Sequence, residues 1–152
     1  MLEGRALSKS EMAAALRVDR DEGRSGYRKG GYHPVRIGDT FKDGRYTVCS
    51  KVGWGHFSTV WKARDAATGQ FVALKVVRSA SQYTDAARDE IRFLEKLASE
   101  DRERRCCCMH LLDHFRHFGP NGVRLCFGLD TLHFHFTLSF ALLPSSRRMY
   151  GV

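Results

Sequence analysis

The chain has 152 residues, with 43% hydrophobic and 28% charged residues, the balance of a globular protein with one modest core. Its net charge is +8, from 25 Lys and Arg against 17 Asp and Glu, but the basic residues are spread along the chain. They read as a solvated basic surface. An aromatic and basic stripe of the nucleic-acid-binding sort is absent, so no direct nucleic-acid partner is expected.

The five cysteines are Cys49, Cys106, Cys107, Cys108 and Cys126. An odd count with three adjacent does not make a disulfide framework, and reduced thiols in an intracellular protein are expected. A zinc site from Cys106–Cys108 and His110 is disfavoured, because adjacent side chains diverge. No metal ligands are assigned. Met1–Asp21 lacks the continuous apolar core of a signal peptide, and Phe134–Leu143 is too short to span a bilayer. No membrane association is expected.

Residues 1–40 are rich in Gly, Arg, Ser and Asp and read as a basic, partly disordered extension. Arg45–Lys51 alternates as a strand and is broken by Gly53, Trp54 and Gly55. Ser58–Arg64 is a second strand, Ala67–Gln70 a turn, and Phe71–Val77 a third, well-buried strand. Thr84–Arg102 is helical in character, with Ala87, Ile91, Leu94 and Ala98 on one stripe, Thr84 as N-cap and Asp85 in the first turn. Leu111–Phe118 and Val123–Leu129 are strands joined by a turn in which Asn121-Gly122 is the signal. The fold class is α+β: a five-stranded antiparallel sheet with one main helix.

Three features carry chemistry. The loop Val52-Gly53-Trp54-Gly55-His56-Phe57-Ser58-Thr59-Val60 joins two strands. Little bulk at Gly53 and Gly55 lets backbone N–H groups approach phosphate oxygens. It is not a dinucleotide-binding turn, since the glycines lead into a strand. Next, Val72-Ala73-Leu74-Lys75 places a small residue where an adenine ring could lie, and a lysine inside an apolar strand. A buried ammonium needs an anion. Glu90, beside the apolar stripe of the helix, supplies one, and the pair would hold the ammonium where phosphates of ATP pass. Singly these features are weak; in this order, on these elements, they form the signature set of a protein-kinase N-terminal lobe.

Three further stretches sharpen the resemblance. Lys29-Gly30-Gly31-Tyr32-His33-Pro34-Val35 with Ile37-Gly38-Asp39 is similar to the lead-in of the SR protein kinases, which act on arginine/serine-rich splicing factors. Gly44-Arg45-Tyr46 followed by Gly53–Trp61 resembles their glycine loop, with Ser58 where most kinases have a third glycine. Tyr83-Thr84 ahead of Asp89-Glu90-Ile91 resembles their helix start. The match covers residues 30–127. It implies that Val52, Gly53, Trp54, Gly55, His56, Phe57, Ser58 and Val60 cover ATP and that Ala73 contacts adenine. Lys75 would hold the phosphates and Glu90 would orient Lys75. Asp130 and Leu132 would offer backbone groups to the adenine edge. It also implies magnesium, Arg/Ser-rich splicing factors as substrates, and a place in cytoplasm and nucleus.

The resemblance frays after Cys126. Gly128 stands where a strand-filling residue is expected, and residues 133–152 carry no kinase pattern. A kinase also needs a catalytic-loop Asp, a metal-binding Asn and a D-F-G Asp. None of these motifs occurs in the 152 residues, so the expectation is an N-terminal lobe with the C-terminal lobe absent. The expected division is an extension at 1–40, a kinase lobe at 41–132 and a divergent tail, out of frame or disordered, at 133–152. The expected activity is that of a truncated kinase segment, inactive alone. The alternative is a non-catalytic ATP-binding or interaction module. Its exposed lobe face would meet a chaperone or a second copy.

Overall fold

The computed structural model describes residues 22–101 and 109–130. Six strands form one antiparallel sheet: β1 (Thr40–Phe41), β2 (Tyr46–Trp54), β3 (Ser58–Asp65), β4 (Phe71–Val77), β5 (Leu111–Gly119) and β6 (Gly122–Asp130). Their spatial order is β1-β2-β3-β4-β6-β5. One long helix, α1 (Ser81–Glu100), lies between β4 and β5 in the chain, and a short 3-10 turn spans Arg24–Gly26. The sheet therefore has one strand more than the five expected. The extra one is β1, two residues held by pairing Thr40 with Thr47 and Phe41 with Tyr46. Among the described residues, no helix is long and apolar enough to cross a membrane.

β4 is central and apolar on both faces, as befits a strand with neighbours on both sides and layers above and below. Its alternation separates two cores. Ala73 and Val77 join Val60, Leu125, Phe127 and Leu129 on the face covered by α1. Val72, Leu74 and Val76 join Tyr46, Val48, Trp61, Ala63 and Cys126 on the other face, with Phe41, Val35 and Phe115 packed over them. The segment ahead of β1 thus lies on the sheet, so the second face is a core as well.

α1 starts three residues earlier than expected. Its N-cap is Ala80, in extended conformation and without a side-chain cap bond, and its first turn carries no acidic residue. Thr84 is not the cap; it lies inside the helix, its hydroxyl donating to Ala80 O at 3.4 Å. Asp85 instead pairs with Arg88 at 2.9 Å. A cap is worth about 1 kcal/mol, whereas burying each large apolar side chain is worth roughly 1.5–3 kcal/mol. The buried stripe Tyr83, Ala87, Ile91 and Leu94 therefore decides where the helix sits. Ala98 is only half-buried. The β5–β6 turn places Pro120 and Asn121 at its centre, with Gly122 (φ 118°) already in the strand.

A charged cluster ties the far end of the sheet. Arg45 grips Asp65 through Nε at 2.9 Å and Nη2 at 3.0 Å. Asp113 accepts from Lys42, Arg45 and Tyr46. The Arg45 bond holds the Asp65 carboxyl below its ordinary pKa despite burial.

Candidate nucleotide-binding site

The site is built on the face of the sheet that α1 covers. Cross-strand pairing sets Lys75 between Val60 and Phe127, and Ala73 opposite Leu129. Partners in a ladder share a face. Val60, Ala73, Lys75, Phe127 and Leu129 therefore form one contiguous patch. Val52 reaches the same patch through an irregularity of β2. The register with β3 shifts between Lys51 and Gly53, and Val52, at the shift, packs against this core. Phe57 packs there too.

Lys75 is the polar centre of the patch. Its side chain is 8% exposed, and Nζ lies 2.7 Å from each carboxylate oxygen of Glu90, itself 37% exposed. The Phe127 ring stands 5.2 Å from the same nitrogen. Glu90 is one residue from the buried Ile91 and three from Ala87, so the helix presents it at the edge of its apolar stripe, toward the sheet. An ammonium carries three donors. Two are spent on Glu90, which leaves one for an incoming oxyanion.

The glycine loop is tighter than a loop need be. β2 runs on through Gly53, paired with Val60, and Trp54, paired with Thr59. Gly55 and Ser58 then exchange backbone bonds, N to O at 2.8 Å and 3.3 Å, leaving His56 and Phe57 as a two-residue tip. Ser58 is buried opposite Val77. His56 Nε2 lies 3.3 Å from the Tyr83 hydroxyl, and Phe57 stacks edge-on against the Tyr83 ring at 5.6 Å.

Sequence reasoning and geometry part company at several residues. Trp54 pairs with Thr59, whose hydroxyl takes the Trp61 indole N–H on the opposite face, so Trp54 points away from Lys75. Ala73 is fully buried, so a base stacking on it has to displace part of the surrounding cluster. The Asp130 amide donates to His110 O at 3.0 Å, inside the lobe. Leu132, Cys106–Cys108 and the 133–152 tail lie outside the described residues. Phe127 and Leu129 were missed as members of the site. Their alternation with Cys126 and Gly128 in β6 was the available signal. Among the described residues no three His, Cys, Asp or Glu side chains converge as metal ligands. The carboxylate at the site, Glu90, is taken by Lys75, so these residues do not fit a magnesium site. A cavity of about 260 Å³ lies elsewhere, between Ser79, Thr84, Arg88, Arg116 and Leu125.

Comparison with known proteins gives the lineage. The chain is 49% identical over 113 residues to the serine/threonine-protein kinase SRPK of Physarum polycephalum, covering 74% of this chain and 26% of that protein. It is 52% identical over 108 residues to human SRSF protein kinase 3, covering 70% of this chain and 19% of that kinase. Over about three quarters of its length the chain is thus similar to one segment of the SR protein kinases. To SKY1 of Saccharomyces cerevisiae it is 44% identical over 117 residues, with 74% of the chain and 16% of the kinase covered. It thus spans between 16% and 26% of the length of these SR protein kinases. No protein-family model matches the chain. A small strand-rich domain with a single long helix is the N-terminal-lobe architecture expected of the family.

Proposed function

We propose that these residues form the ATP-gripping wall of a serine/threonine protein kinase of the SR-protein-kinase type. The observation that carries it is the Lys75–Glu90 pair, 2.7 Å at both oxygens, beneath a glycine hairpin. Glu90 neutralises and aims Lys75, and the remaining ammonium proton meets an α- or β-phosphate oxygen. The backbone of Gly53–Ser58 covers the phosphates, and Val52, Val60, Ala73 and Leu129 receive the base once their packing opens. ATP supplies the γ-phosphoryl group, with magnesium held by residues other than these. The substrate class is serine in Arg/Ser-rich splicing factors, met in cytoplasm and nucleus. The catalytic-loop and D-F-G motifs that supply the base and the metal ligands do not occur in the 152 residues, and these residues alone are expected to bind without transferring.

Titration with a fluorescent ATP analogue tests the grip. The chain binds it, and Lys75→Met weakens binding by about tenfold or more, the loss of one charge-assisted contact. Equal affinity in the two proteins would defeat the reading. Phosphate transfer to an Arg-Ser peptide, lost in Lys75→Met, would defeat the claim that binding stands alone.

A further inference from the structure

The lead-in motif Lys29–Val35 has no role in the grip just described, yet the structure builds it with care. Gly30 adopts φ +80°, a conformation that favours glycine, and its N–H donates to Asn121 O at 3.0 Å. A Cβ on Gly31 would stand 2.1 Å from Gly26 O, and one on Gly26 would stand 2.7 Å from the Tyr32 ring. The glycines let the segment fold tightly enough to seat Tyr32. Gly30 and Gly31 carbonyls accept from Ala80 and Ser79 N–H at 2.9 Å and 3.2 Å, and Asn121 Nδ2 donates to Tyr32 O at 2.7 Å. The segment is thereby fixed to the start of α1 and to the β5–β6 turn.

From that seat Tyr32, which is 4% exposed, reaches the glycine loop. Its hydroxyl donates to Gly55 O at 2.8 Å. Arg78 stacks between two rings, 4.7 Å from Tyr32 and 4.6 Å from Tyr83. Arg78 also donates twice to the loop: Nη1 to His56 O at 3.1 Å and backbone N to Phe57 O at 2.9 Å. Three successive carbonyls at the loop tip, Gly55, His56 and Phe57, are therefore held by donors from outside the loop. In a trans peptide the C=O and the following N–H point in opposite directions, and no cis bond occurs among the described residues. Holding Gly55 O and His56 O fixes the N–H groups of His56 and Phe57 away from the clasp.

We propose that Tyr32, Arg78 and Tyr83 form a clasp through which the segment ahead of β1 sets the position of the glycine loop, making Tyr32 a positioning residue for the loop amides that meet a nucleotide's phosphates. The clasp is a statement about the loop; its bearing on nucleotide rests on the function proposed above.

Amide hydrogen exchange on the full chain tests it, with Tyr32→Phe and Arg78→Met as variants. Tyr32→Phe removes one hydrogen bond while keeping the ring against Arg78. Exchange at Gly55 and Ser58, whose amides pair across the loop tip, accelerates roughly 2- to 10-fold, the range for one net hydrogen bond, and further in Arg78→Met, while β6 amides keep their rates. Unchanged loop exchange in both variants overturns the clasp. So does uniform acceleration that includes β6, since that marks general loosening. A fluorescent ATP analogue provides the second arm. It binds Tyr32→Phe roughly 2- to 10-fold more weakly by the same conversion. A freed loop with unaltered or tighter binding overturns the positioning role. A parent chain that binds no nucleotide defeats the proposed function instead, and the exchange rates then decide the clasp by themselves.

Discussion

Tyr46 and Asp113 are 67 positions apart in the chain, and the phenol of one donates to the carboxylate of the other at 2.8 Å. The same carboxylate accepts from Lys42 at 2.6 Å and Arg45 at 3.3 Å, so one side chain joins β5 to the β1–β2 corner. Asp113 is mostly shielded, its side chain 14% exposed, whereas Lys42 is 36% exposed. Replacing the hub leaves Tyr46 OH without this acceptor and Arg45 with Asp65 but not Asp113. Asp113→Ala is expected to cost about 1.5–3 kcal/mol, the scale of hydrogen bonds to a charged group. Lys42→Ala removes one half-exposed partner and costs at most about 1 kcal/mol. Urea unfolding of the two variants ranks them; an equal cost would show that Asp113 works as a surface charge only.

The Lys75–Glu90 pair predicts an asymmetry. Glu90→Ala strands an ammonium whose side chain is only 8% exposed. Stranding a fully buried charge costs about 3–5 kcal/mol. Glu90 is 37% exposed, so water fills part of the gap, and about 1–3 kcal/mol is expected by the lesser penalty for an unsatisfied group. Lys75→Met leaves the carboxylate facing solvent and places a flexible apolar chain beside Phe127, so its cost stays under about 1.5 kcal/mol, as for a volume-conserving swap. If thermal unfolding finds Lys75→Met the more damaging change, the pair contributes more as a packed lysine stem than as a neutralised charge.

Much of this was legible in the residues, and the reasons divide cleanly. β4 was read to the residue because it is apolar on both faces and bounded by Gln70 and Arg78. Glu90 was legible because helical periodicity alone puts it beside Ile91. The start of α1 was not. Thr84 and Asp85 offered a local cap, but Ala80 is fixed by Gly30 O, 50 positions away, and Tyr83 is drawn inward by the loop tip. β1 was invisible at two residues, made by a corner in which Lys42 (φ 50°), Asp43 (φ 54°) and Gly44 (φ 85°) all turn left-handed. The orientation of Trp54 depended on irregularities of register in β2, which no alternation pattern announces.

Two histidines give the fold a dependence on pH. His33 is buried, with its Nε2 3.2 Å from His117 Nε2. Burial first, then the Arg124 guanidinium and His117, lower the His33 pKa to about 4. Burial and Arg124 lower that of His117 as well, and Asp39 opposes both. The unfolded chain takes up these protons near pH 6.5, while the folded chain resists until lower pH. Their contribution is therefore complete above about pH 6.5 and is lost as pH falls toward 4, with a slope of up to about 1.4 kcal/mol per pH unit for each proton. Asp65 and Asp113 extend the loss further down: bonds from Arg45, and from Lys42 and Tyr46 against the upward push of burial, hold them below the carboxylate range. His33→Phe is expected to flatten the fall between pH 6.5 and 4. Chemical denaturation across that window checks it, and an unchanged slope would remove His33 as the cause.

Gly31 gives the sharpest steric prediction. An added Cβ would lie 2.1 Å from Gly26 O and 2.9 Å from Arg28 O, both backbone atoms that cannot swing aside as a side chain would. Gly38 is a contrasting case: φ is +92°, but nothing lies within 4 Å of the same added atom. Gly38→Ala meets only the left-handed backbone penalty of about 1–2 kcal/mol. Gly31→Ala must instead move the segment off the start of α1, breaking the bonds from Ser79 and Ala80 N–H to Gly31 and Gly30 O. Those two amides should exchange at least tenfold faster in Gly31→Ala, because local opening exposes them without unfolding the sheet. β3 and β4 amides should remain protected, since their ladder bonds do not involve the segment. Protection at Ser79 and Ala80 equal to that in Gly38→Ala would mean that the segment absorbs the methyl group, and that its docking is far looser than the 2.1 Å contact requires.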